Sequence, residues 1–83
     1  MRNEASLAGR ARAAAASYRL GMEGSAGERL AALVDALLAE IARRPALGAR
    51  VAPLLGELVA AQTRRDPIGL ADRLEHELAP LLD

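Results

Sequence analysis

The chain contains no cysteine, no lysine, no phenylalanine and no tryptophan; Tyr18 is its only aromatic residue and His76 its only imidazole. Without cysteine there is no disulfide framework, no thiolate nucleophile and no thiolate-bound metal. Val, Ile and Thr together number six, too few of the residues that pack on a pleated surface to build a β-sheet. No apolar run approaches the ~20 residues of a membrane span, and no hydrophobic leader core is present, so no membrane insertion and a cytoplasmic setting are expected. An excess of one charge is missing too. Eleven Arg balance eleven acidic residues, so no global field draws the protein to nucleic acid or to a membrane surface.

What is present is helix-forming. Alanine (20) and leucine (15) dominate the 83 residues, which predicts a single all-α domain. Basicity supplied only by Arg, with so much Ala and Leu, is the composition a GC-rich bacterial genome produces. The balanced charge hides an asymmetry. Residues 1–20 carry Arg2, Arg10, Arg12 and Arg19 against Glu4, a net +3, whereas residues 66–83 carry five acids against Arg73, a net −4. The two ends therefore attract each other, within one chain or between chains. Exposed ion pairs contribute only about 0–1 kcal/mol each, enough to select a register but not to make a fold.

Caps and apolar stripes place four helices, over about 4–20, 26–43, 46–64 and 67–81. The first starts at Asn3 as N-cap and stops at Gly21, with Leu7, Ala11, Ala14, Tyr18 and Met22 on one face. Its alanines bury little area, which predicts the weakest packing of the four and a helix prone to fray or to need a partner. Ser25 and Glu28 form a capping box for the second helix. Leu30, Leu33, Val34, Leu37, Leu38 and Ile41 then recur at helical spacing as a complete stripe, the predicted anchor of the fold. Pro45 opens the third helix, and Leu47, Val51, Leu54, Leu55 and Leu58 keep one phase across Pro53. That favours one helix kinked at Pro53; a short helix followed by a new one is the alternative. Asp66-Pro67 is a second strong start signal, and Leu70, Ala71, Leu74, Leu78 and Leu82 form the last stripe, with Pro80 weakening its end. Connections of two or three residues predict antiparallel neighbours, hence an antiparallel four-helix bundle-like domain with short loops.

Small scaffolds commonly need a staple. With cysteine and a metal cluster both missing, self-association is the staple that remains, as a homodimer or higher oligomer. The small residues Ala32, Ala36 and Ala39 on the back of helix two, and Ala49, Gly56 and Ala60 on helix three, are faces that a mate or client helix can approach closely.

Candidate sites are few. His76 is the obvious catalytic candidate, but it falls opposite the stripe of helix four, beside Asp72, on a convex surface where a base has no pocket around it. Asp72 and His76 supply two metal ligands, and two do not close a site. The Glu-x-x-His pairs of a di-iron bundle do not occur. Glu75 lies at the margin of the apolar stripe, where a carboxylate must find a donor; an arginine or the Tyr18 phenol is the expected partner, and an acidic hook for a partner's arginine is the functional alternative. Gly21, Gly24 and Gly27 precede a helix but follow no strand and carry no Walker lysine, so they read as a turn and cap. Arg12 and Arg19 share a side of helix one, with Arg10 pointing elsewhere; with zero net charge, nucleic-acid binding is not favoured. No catalytic residue, cofactor or metal is assigned. The candidate interaction residues are Arg12, Tyr18, Arg19, Ala32, Ala36, Ala39, Asp72, Glu75 and His76.

The tail from Asp66 to Pro80, with Ala71-Asp72, Leu74-Glu75, Glu77-Leu78 and Pro80, resembles that of small all-helical bacterial proteins of unassigned activity. Their pattern is Asp, four residues, Ala-Asp, Leu-Glu, an aromatic, Glu-Leu and a nearby proline. His76 stands where the aromatic is usual, and Pro67 also departs from it. The resemblance implies a helical accessory protein in a bacterial surface or flagellar setting. The sequence thus points to a non-enzymatic interaction module acting by self-association and partner binding; a DNA-associated regulator using the arginines of helix one is the alternative.

Overall fold

Helix propensity without sheet formers leaves the chain one way to satisfy its backbone. The computed structural model describes residues 6–83. It contains α1 (Leu7–Arg19), α2 (Glu23–Arg43), α3 (Pro45–Thr63) and a C-terminal rod of α4 (Pro67–Arg73), one π turn (Leu74–Leu78) and α5 (Ala79–Leu82). No strand occurs among the described residues. The expected N-cap Asn3 lies outside them. Within them, Ser6 caps α1, its Oγ accepting from the Gly9 N–H at 3.0 Å.

Two helices end in the same hydrogen-bonded turn. After α1, the Met22 N–H donates to the Ser17 carbonyl and the Gly21 N–H to the Tyr18 carbonyl, with Gly21 at φ 76°. After α3, Asp66 donates to Ala61 and Arg65 to Gln62, but here Arg65 holds the left-handed position at φ 57°. Such a turn satisfies the carbonyls a helix end leaves open. The first turn also re-enters helix at once. The Ala26 N–H bonds to the Met22 carbonyl at 2.8 Å, so α2 starts at Glu23 with no side-chain cap. The capping box expected at Ser25 and Glu28 is therefore not used, and the loop is shorter than its glycines imply.

Pro45 excludes helical geometry from the residue before it, so Arg44 (φ −134°, ψ 78°) alone separates α2 from α3. Helix α3 runs uninterrupted through Pro53, whose exposed ring lies off the core stripe. The split-helix alternative is not adopted. Asp66 caps α4 as expected, accepting from the Gly69 N–H at 3.0 Å. The π turn was not foreseen. It ends two residues before Pro80, whose ring conflicts with the carbonyl four residues back, that of His76, inside the turn. Widening the turn relieves that conflict, and the Ala79 N–H bonds five residues back, to Leu74. The core face consequently steps by one residue, so Leu78 and Ala79 are both buried.

Helix α1 packs along α2 on one side and along the C-terminal rod on the other, and α3 packs on that rod and on α2. The whole measures 33 × 31 × 19 Å. Leu33, Leu37, Val51, Leu70, Leu74 and Leu78 are the large side chains most completely enclosed. Three packing expectations are corrected. Helix α1 is the most enclosed element rather than the weakest packer. Ala8, Ala11, Ala14 and Ala15 are buried, and side chains this small let two neighbouring backbones approach closely. Leu38, placed in the core stripe of α2, is 53% exposed, because that stripe is wider than the core it faces. Met22 is exposed in the turn.

Candidate functional site

Three surface features follow from this packing. The first is the seam where α1 meets the C-terminal rod. Arg12 pairs with Asp83 at 2.6 Å, while Arg19, two turns further along α1, pairs with Asp72 at 2.8 Å and with Glu75. Rising numbers on α1 meet falling numbers on the rod, so the two run in opposite directions. The opposite charges of the chain ends are thus joined within one chain. Hydrogen bonding to Asp72, and then to Glu75, raises the Arg19 guanidinium pKa; Asp83 does the same for Arg12. Glu75, expected to find an arginine or the Tyr18 phenol, finds Arg19. Arg73 closes a second tie, to Glu57 of α3 at 2.9 Å and Glu77 at 3.1 Å.

The second feature is an open groove between α2 and α3, about 320 Å³ in volume and lined by Gly27, Leu30, Ala31, Val34, Asp35 and Gln62. Leu38 lies one turn beyond Val34 on α2, and Val59 one turn before Gln62 on α3; neither lines the groove itself. Leu38 is 53% and Val59 61% exposed. Sequence reasoning missed this face by assigning Leu38 to the core. The width of the α2 stripe was the available signal.

The third is a cleft of about 270 Å³ between α1 and α2, lined by Arg10, Ala13, Arg29 and Ala32. Ala32 therefore borders α1, Ala36 is half-buried, and Ala39 is exposed. Ala32, though it borders α1 across the cleft, is itself exposed. Tyr18 is only 8% exposed and lines a notch of about 200 Å³ with Glu23, Gln62 and Arg65. Burial raises its phenol pKa, and the negative charge of Glu23 adds to the shift.

The structure groups Arg19, Asp72 and Glu75 and sets Arg12 apart on Asp83. His76 joins neither: its imidazole is 67% exposed and 4.0 Å from Glu75, and it lines none of the three cavities. Among the described residues no cluster of three or more His, Asp or Glu is placed to hold a metal ion, and no helix is long and apolar enough to cross a membrane. Comparison with known proteins finds no matching family model, no similar curated protein and no similar solved structure.

Proposed function

We propose that the protein is a non-enzymatic helical interaction module, an antiparallel four-helix bundle that acts by having one face covered. The observation that carries this reading is the exposure of Leu38 on α2 and Val59 on α3, which stay in water while Leu30, Leu33 and Leu37 of α2 and Leu54 and Leu58 of α3 are enclosed. A contiguous exposed apolar patch marks a place of association, and Leu38 and Val59 are the side chains proposed to form one. The occupant proposed is a second copy of this chain. With no net charge, two copies approach without long-range repulsion. A two-fold arrangement would lay α2 and α3 of each copy against their counterparts.

The resemblance of the tail from Asp66 to Pro80 to small all-helical bacterial proteins adds a bacterial surface or flagellar setting to the proposal. A DNA-associated role for α1 gains little from the geometry, since two of its three arginines, Arg12 and Arg19, already hold carboxylates. Sedimentation velocity over 1–100 μM (a span of concentrations about two decades wide, suited to micromolar dissociation constants) tests the reading. Dimer is expected for the native chain and monomer for Leu38→Glu and Val59→Glu. A native chain that stays a folded monomer across that range overturns it.

A further inference from the structure

The cleft between α1 and α2 lies outside the proposed association patch and has a different chemistry. Arg12, Arg19, Arg43, Arg44 and Arg73 each reach a carboxylate within 3.4 Å, and Arg64 reaches one at 3.8 Å. Arg10, Arg29, Arg50 and Arg65 have no carboxylate within 4.0 Å among the described residues, and of these Arg10 and Arg29 line one cleft together. Each is three residues from the alanine that shares its wall, Arg10 with Ala13 on α1 and Arg29 with Ala32 on α2. Residues three apart lie on one helix face. The two arginines therefore line the same space, one from each helix, and the alanines leave that space open.

We infer that this cleft binds a small phosphoryl oxyanion. A guanidinium donates through a planar fork, and one carboxylate edge satisfies one fork. Two forks from two helices call for a ligand with acceptor oxygens on more than one side. A tetrahedral phosphoryl group has these, with a charge of about −1.5 to −2 at neutral pH. At about 270 Å³ the open cleft has ample room for a phosphoryl group. A nucleic-acid strand is the poorer fit, because its affinity rests on many phosphate contacts and the neighbouring Arg12 and Arg19 are engaged by Asp83, Asp72 and Glu75.

The test is an NMR titration of the ¹⁵N-labelled chain with inorganic phosphate, beside acetate at matched ionic strength. Saturable shifts of the Ala13 and Ala32 amides are expected with phosphate and not with acetate. Losing one charge-assisted fork weakens such binding about tenfold or more, so Arg10→Ala and Arg29→Ala should each do so. Arg50→Ala, which removes an exposed arginine from α3, should stay within about twofold, well under the tenfold of one lost contact. Arg10→Lys and Arg29→Lys keep the charge, lose the fork and fall between, and they supply the readout if an alanine variant is unstable. Shifts that never saturate, that acetate reproduces, or that Arg50→Ala weakens as much as Arg10→Ala does, would overturn the site. Because Leu38 and Val59 take no part, these outcomes are read independently of self-association.

Discussion

Arg65 occupies the left-handed position that closes α3, at φ 57°, where Gly21 closes α1 at φ 76°. A side chain with a Cβ is disfavoured there by roughly 1–2 kcal/mol, part of which glycine returns through the freer unfolded chain. Arg65→Gly should therefore stabilise the fold by about 0.5–1 kcal/mol in urea denaturation. Tyr18 makes a second residue-scale prediction. Its folded pKa is raised, first by burial and then by Glu23. A raised folded value means that stability is fully present below the unfolded value, about 10 for a phenol, and is lost as the pH climbs through the folded one. Melting temperatures should fall on the alkaline side of about pH 10, with tyrosinate absorbance rising in step, and Tyr18→Phe should flatten that dependence. Glu75 was legible from sequence as a carboxylate needing a donor, but the choice of Arg19 over Tyr18 was not. That choice depends on how far along α1 the rod is placed.

At the scale of the elements, α1 and the start of α4 are the informative cases. A hydrophobicity count ranks α1 last, since alanine buries little area. Its position between α2 and the C-terminal rod requires that smallness. Ala14→Leu should cost about 1–3 kcal/mol, the usual penalty for added volume in a closed contact, whereas Ala16→Leu, on the exposed side of α1, should be near neutral in the same denaturation series. At the start of α4, a Cβ on Gly69 would meet the Asp66 carboxylate that caps the helix. Gly69→Ala and Asp66→Ala should each lose about 1 kcal/mol, the worth of an N-cap. Their double mutant should lose little more than either, because both remove the same bond. The π turn was illegible for a related reason. Proline announces a weakened end, but whether the helix stops, kinks or widens depends on which neighbouring residues the core then buries.

For the whole molecule, exposure sorts the leucines. Leu20 and Leu38 remain in water while Leu30, Leu33 and Leu37 of the same stripe, and Leu70, Leu74 and Leu78 of the rod, are enclosed. If the patch around Leu38 and Val59 binds a second copy, folding and association are linked, and the melting temperature should rise with protein concentration. In Leu38→Glu that dependence should vanish, with far-UV circular dichroism still helical because the position lies outside the core. The candidate site divides the same way. The opposite charge of the chain ends was readable, and so was their attraction. That it is satisfied inside one chain, by Arg12 on Asp83 and Arg19 on Asp72 and Glu75, required knowing that α1 and the rod lie side by side.

Composition, caps and spacing by themselves determined an all-helical chain, the boundaries at Arg44-Pro45 and Asp66-Pro67, and most core leucines. These are local properties, set by proline geometry, by a carboxylate reaching an amide three residues on, and by a period of 3.6. Only the tertiary structure decided which half of the α2 stripe is covered, that the alanine helix lies between two neighbours, and which arginines keep a free fork. Each of these depends on how closely two helices approach, a distance set jointly by side chains far apart in the chain.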